Sequence, residues 1–483
     1  MDSNEPISVP LSLRTIQTEL LLPPKTVVLG TRQPTALASV PAALATALGA
    51  PLGRPPLCEM GRQVLDRDES GSAVVVISDN TRPVPYKGPD GILWPIVESL
   101  LQSGFRPERI RILAAAGTHR VMTVSEISSL IDDRVIAAGV GVTCHNARDP
   151  SVLVAVGCSA QGTTILMNRE YVTADLKILT GLVEPHFMAG VSGGRKSICP
   201  GLLGVQSVEE FHGAAMMEHP GTCNMNITDN LCHEYAIQVA RMAPPDFVVN
   251  VTIRDDGKPV NVFAGDMDEV LETAFEQLKS FVLLPIPHRF DIVVTHAGRG
   301  AINHYQAAKA ATTGAQAVTQ DGFLVVVADT TDPDPIGNGT YREMLELMKK
   351  VGPTAFRQLI GSSDWTLVPD QWEVQMWAKV LDRVPEDHLF YYSPQTRLSD
   401  YAILPCADPP AEGATTDVSE SVAAFIEQAR QQATLALGRR PSIAYLSDGP
   451  FGIPVEAVDA QAFLHESATV DLPAAEHLLG GEA

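Results

Sequence analysis

Short, continuous apolar runs alternate along this chain with stretches of helical period. Ala73-Val74-Val75-Val76-Ile77 and Ile110-Arg111-Ile112-Leu113-Ala114 are of strand length and rich in β-branched residues, the pattern of strands buried on both faces. Residues 91–103 between them read as a helix, and further strands are predicted near Leu176–Leu179, Asp291–Thr295 and Phe323–Ala328. Residues 7–30 read as edge strands, 36–48 as an Ala/Leu-rich helix and 270–282 as another helix. Strands and helices that take turns in this way predict an α/β protein.

The prolines of Leu284-Pro285-Ile286-Pro287 mark a hinge, after which the strand and helix pattern restarts. We therefore expect two doubly wound α/β domains, residues 1–284 and 285–483, with the active site in the cleft between them. Residues 407–419 read as a loop, and the Ala/Glu-rich tail after about 455 as peripheral.

Three of the predicted strands run straight into loops dense in Asp, Arg, His or Lys. These are Ser78-Asp79-Asn80-Thr81-Arg82-Pro83, Gly117-Thr118-His119-Arg120 and the long stretch from Glu184 to Gly201. In an open α/β sheet the ligand crevice lies at the carboxyl ends of the strands, so three such loops can share one site. The third has Gly190, Gly193 and Gly194 for backbone freedom, with Pro185 and Pro200 barring regular structure at either end. It also brings a proton-exchanging His186, an anion-suited Arg195 and a potentially nucleophilic Lys196. Gly190 to Ser197 nearly reads as a phosphate-binding loop, but Arg195 stands where that motif needs glycine.

Composition narrows the partners. The 483 residues are 45% hydrophobic with a formal charge of −22, a field that repels nucleic acid and anionic membrane surfaces. A small anionic substrate would need a local basic pocket. Seven scattered cysteines without a C-x-x-C pair suit a reducing compartment, and no secretory signal or membrane span is expected, so the expectation is a cytoplasmic protein.

The stretch from Glu184 to Gly201 resembles the nickel-pincer lactate racemases and their 2-hydroxyacid racemase and epimerase relatives, whose loop reads [ED]-x-H-F-x-A-G-[FY]-S-G-G-R-K-x-x-x-P-G. Here Val191 takes the usual aromatic place. The resemblance implies a nickel-pincer nucleotide, a pyridinium-3-thioamide-5-thiocarboxylic acid mononucleotide, attached covalently to Lys196 and contacted by Gly193, Gly194 and Arg195. It implies His186 and His119 as paired acid/base groups, one on each side of the carbinol carbon. His212, sixteen residues after Lys196, would be the nickel ligand, although His219 and His233 lie close enough to be rivals.

Asp-Asn-Thr-Arg-Pro resembles the family's Asp-His-Thr-Arg-Pro, making Arg82 a substrate carboxylate ligand and Asp79 a group that orients Arg82 or contacts the cofactor. Tyr305-Gln306-Ala307-Ala308-Lys309 matches the family's Tyr-Gln-x-x-Lys, whose members would bind substrate oxygens, and Trp372 matches a tryptophan that would stack near the cofactor. The run before Tyr305 departs from the family: the usual proline and aspartate are missing, and Arg299 and His304 are added. Two extra donors favour a polar group at the substrate's third carbon, as in malate or a sugar acid. The expected activity is racemisation or epimerisation of a 2-hydroxy acid by hydride transfer through a transient 2-keto acid, with the host's cofactor-synthesis enzymes as partners. Two alternatives are a nucleotide-binding phosphotransferase built on residues 190–197 and a non-catalytic hydroxy-acid-binding protein.

Overall fold

The structure, a computed structural model, describes residues 5–456 apart from 32, 255 and 411–416. The chain divides into two compact units, one of residues 33–279 and one of residues 1–32 with 280–483. The alternation of strand and helix appears as a mixed α/β fold with parallel sheets.

The 33–279 unit is organised on six strands in the order Pro259–Gly265, Phe247–Ile253, Leu176–Leu182, Ala73–Ser78, Ile110–Ala115, Gly141–Cys144. All neighbours are parallel except the first pair. The apolar runs are continuous because helices cover the sheet. Val75, Ile77, Ile112 and Ile178 pack with Ile96, Val97 and Leu100 of the helix Leu93–Ser103, which stops at Gly104 in the left-handed conformation. Truncating such a residue, as in Ile178→Ala, should cost about 2–5 kcal/mol through lost burial and the cavity left behind.

The other unit has a five-stranded parallel sheet in the order Leu389–Tyr392, Val318–Val327, Phe290–His296, Ile443–Leu446, Val27–Leu29. The hairpin of Ile7–Ser12 with Gln17–Leu22 buries Val9, Leu11, Leu20 and Leu22 in the same core as Phe323, Val325 and the helix Val418–Leu437.

Two expectations change here. Residues 1–32 group with the second half of the chain, because Val28 pairs with Tyr445 across almost the whole sequence. The proposed hinge is a strand, Leu283–Ile286, paired in parallel with Ile453–Glu456. A two-stranded ribbon can take Pro285 on its exposed side without breaking a sheet. Of the stretch read as a peripheral tail, residues 457–483 lie outside the described residues.

Candidate active site

The strands Leu176–Leu182, Ala73–Ser78 and Ile110–Ala115 are adjacent and parallel, so the three polar loops leave the sheet at the same edge. The loop after Leu182 folds back on itself. Pro185–His186 pairs with Gly190–Val191, and a tight turn at Gly194–Ser197 follows. Gly190 has φ 76°, and a Cβ there would lie 2.1 Å from the Asn226 carbonyl oxygen, while Gly193 has φ 81° with a would-be Cβ 2.8 Å from Val183 Cγ2. Both positions therefore require glycine.

Arg195 is fully buried and donates to the carbonyls of Ala189 (2.9 Å), Gly193 (3.3 Å) and Ser192 (3.4 Å). Burial pushes its pKa down to about 9. The loop's amides are used internally as well: Ser192 N–H donates to Glu184 and Lys196 N–H to Gly193. A loop that spends its donors on itself and fills its interior with an arginine is poorly built to cradle a phosphate.

Lys196 Nζ lies 2.7 Å from His186 Nε2 and 5.7 Å from the centre of the Phe211 ring. Burial lowers its pKa well below the ordinary lysine range, and the nearby Arg82 and Arg195 charges lower it further. His186 is buried, and its Nδ1 accepts from the amides of Met188 (3.2 Å) and Ala189 (3.3 Å). Two amides aimed at Nδ1 leave the imidazole proton on Nε2, where it can donate only to a neutral amine.

His119 is half-exposed, and its Nδ1 is 2.7 Å from Asp79 Oδ2. Burial pushes the Asp79 carboxyl up, but the bonds from His119 and Thr81 more than offset this and keep it below the ordinary range. An ionised Asp79 holds the proton on Nδ1 of His119 and turns an accepting Nε2 outward. Of the two roles expected for Asp79, orienting Arg82 or contacting the cofactor, its side chain does not take the first: Arg82 forms an ion pair with Glu184.

His212 caps the helix Val205–Phe211, and its Nδ1 donates to the Val208 carbonyl at 2.9 Å. That bond leaves the lone pair on Nε2, the form that binds a metal. Burial pushes its pKa down to about 3, so it stays neutral at any working pH. Among its rivals, His219 Nδ1 accepts from the Gly221 amide, and His233 Nδ1 is buried without a hydrogen-bond partner. Among the described residues no three His, Cys, Asp or Glu side chains gather into a metal site.

In the other unit the helix His304–Gln316 starts at Asn303, whose side chain accepts from the Gln306 amide. Tyr305, Gln306 and Lys309 are half-buried on one side of this helix. Trp372 is buried at 5% exposure and donates through Nε1 to the Tyr305 hydroxyl at 2.9 Å.

Two family models match the chain, the lactate racemase N-terminal domain over residues 14–224 and the lactate racemase C-terminal domain over 287–388. A lactate racemase of Lactiplantibacillus plantarum is 31% identical over 311 residues, 64% of this chain and 71% of the relative. This chain belongs to the lactate racemase family. A second lactate racemase, from Thermoanaerobacterium thermosaccharolyticum, is 30% identical over 64% of this chain and 71% of its own length. The solved structure of the lactate racemase apoprotein from Thermoanaerobacterium thermosaccharolyticum superposes with a TM-score of 0.79 at 25% identity, covering 93% of this chain and 100% of that one. A Thermotoga maritima protein shares the fold alone, with a TM-score of 0.57 at 17% identity over 83% of this chain and 97% of its own.

The lactate racemase family uses a nickel-pincer nucleotide, and the residues present suit one. Lys196 is an amine whose charged form burial disfavours, which suits it to forming an amide, and His212 is an imidazole held in its ligating tautomer. One sequence expectation fails. His304 offers no donor to a ligand, because it is 1% exposed, stacked on Trp377 at 4.4 Å, and bonded through Nδ1 to the Tyr341 hydroxyl at 2.8 Å. Arg299 is exposed. Two carboxylates escaped the sequence reading, Glu184 beside Arg82 and the buried Glu373 next to Trp372. Glu184 stands inside the matched loop, a signal that could have singled it out; Glu373 is one of many glutamates.

Proposed function

We propose that this protein is a racemase or epimerase of a small anionic 2-hydroxy acid that carries a nickel-pincer nucleotide on Lys196. The observation that carries the reading is the 2.7 Å contact between Lys196 and His186, on a loop that leaves the same sheet edge as the loop whose His119 is held by Asp79. When bound, the nucleotide supplies a site that accepts the substrate's carbon-bound hydrogen as hydride and returns it.

The chain's own residues supply the rest. Arg82 offers its guanidinium to the substrate carboxylate, with Glu184 fixing the fork's direction. His119, resting with an accepting Nε2, takes the hydroxyl proton from one enantiomer. The proposal gives His186 that duty for the other enantiomer, for which its proton must pass from Nε2 to Nδ1 as the ring turns away from the Met188 and Ala189 amides. Acylation of Lys196 delocalises the lone pair that receives the His186 proton, so attachment frees the imidazole to turn to substrate. Gln306 and Lys309 match the family's Tyr-Gln-x-x-Lys, and that match is what supports giving them substrate oxygens, the carboxylate's included. With His304 in the core, Arg299 alone remains of the two donors expected to favour malate or a sugar acid over lactate.

The test is to supply single enantiomers of lactate, malate and an aldonate to protein with confirmed nickel and adduct, following the products by chiral chromatography. The reading expects inversion of at least one of them from either hand. Conversion of none, or dehydrogenation without inversion, would contradict it.

A further inference from the structure

Glu373 has no part in the reading above, yet few carboxyls in the chain are so withdrawn from water. It is 2% exposed, on the first turn of the helix Gln371–Val380, and its Oε1 has no hydrogen-bond partner. That helix packs against the helix His304–Gln316. The bond from Trp372 to Tyr305 fixes the contact one residue before Glu373, and Lys309 lies one helical turn beyond Tyr305 on the same side.

We propose that Glu373 is a positioning residue for Lys309: while it keeps its proton the Lys309 charge is directed to the substrate carboxylate, and when it ionises it draws Lys309 to itself and weakens the grip on an anion. This rests on the reading that Lys309 binds the substrate.

The physical case starts from desolvation. An ionised carboxylate with one oxygen unpartnered inside the protein is costly, whereas a neutral acid leaves only a carbonyl unsatisfied. Burial raises the Glu373 pKa to about 8, with the Lys309 charge pulling it down and Asp370 pushing it up. Tyr305 and Tyr341 face it with hydroxyls that are themselves held neutral. On the other helices packed there, Arg342 pairs with Asp334, Lys349 with Glu386, and Arg357 with Asp382.

The sign follows from linkage. While Glu373 holds its proton its pair with Lys309 is net cationic and attracts a carboxylate; as pH rises through the Glu373 titration the pair becomes neutral and the substrate must compete for the ammonium.

The experiment measures KM and kcat for lactate between pH 6 and 9.5 on cofactor-loaded wild-type, Glu373→Gln and Lys309→Ala enzymes. In the wild type KM should rise roughly tenfold or more, the scale of one charged hydrogen bond, with the change in KM rather than kcat. Glu373→Gln, which mimics the protonated acid, should keep a low KM throughout, and a wild-type-like rise in this variant would overturn the proposal. A Lys309→Ala enzyme with unchanged KM would instead remove the substrate reading beneath it; a high, pH-independent KM supports both. Infrared spectroscopy needs no turnover. A protonated carboxyl band at pH 6 that is missing from Glu373→Gln is expected, and its absence from the wild type would overturn the proposal by itself.

Discussion

In the 33–279 unit the reactive side chains stand on loops that follow three adjacent parallel strands; in the other unit Tyr305, Gln306 and Lys309 stand on the first turns of a helix. Loops after parallel strands can bring His119 from one strand and Asp79 from the next within 2.7 Å. In the 33–279 set, neighbours fix one another's protonation: Asp79 sets the tautomer of His119, the amides of Met188 and Ala189 set His186, and Val208 sets His212. The helix-borne set instead presents polar groups from one face, backed by Trp372 and Glu373. The first arrangement suits moving protons, and the second suits holding a charge in place.

This contrast can be broken by substitution. The largest effect is expected at Lys196, where replacement by alanine should abolish both the added mass on the chain and inversion; a Lys196→Ala protein that keeps the adduct would remove this residue from its role. Next are the two imidazoles. His119→Gln and His186→Gln should each lower kcat by roughly 10²-fold or more with adduct mass unchanged, the scale of general acid–base catalysis. Full activity in either would show that the tautomer argument serves no catalytic end.

Asp79→Asn sharpens the comparison because it leaves every catalytic atom in place. An amide at position 79 no longer supplies the charge that keeps the proton on His119 Nδ1, so a loss on the order of tenfold to a hundredfold in kcat is expected. The same mutation should change KM little, and an effect confined to KM would make Asp79 a binding group instead. Glu184→Gln should be the mildest, raising KM about two- to fivefold through a less well fixed Arg82, since a partly exposed ion pair contributes modestly.

The strands could be read from the sequence wherever burial on both faces makes the apolar run continuous, as at Val74 to Ile77 and Ile292 to Val294. The loops that follow them stood out for the opposite reason, since His, Arg and Lys gathered between glycines are unlike any core element. What could not be read was pairing at long range. Asp79 lies three residues from Arg82 in sequence, which invites linking the two, yet the fold gives Arg82 to Glu184, 102 residues away, and Asp79 to His119, 40 residues away. His304 looked available because it precedes Tyr305, but the aromatic surroundings that bury it come from Tyr341, Trp377 and Tyr391, three other elements. Charge type alone also concealed Glu373, since only burial separates it from the many glutamates facing water.

The proposed function stands most directly on Lys196 carrying the catalytic group. Peptide-level mass spectrometry with nickel analysis, on active protein purified from its native host, measures this in one preparation. The account predicts an added mass on the peptide containing Lys196 and about one nickel per active chain, the stoichiometry of a single His212 ligand site. Full inversion activity in protein whose Lys196 is unmodified would contradict it.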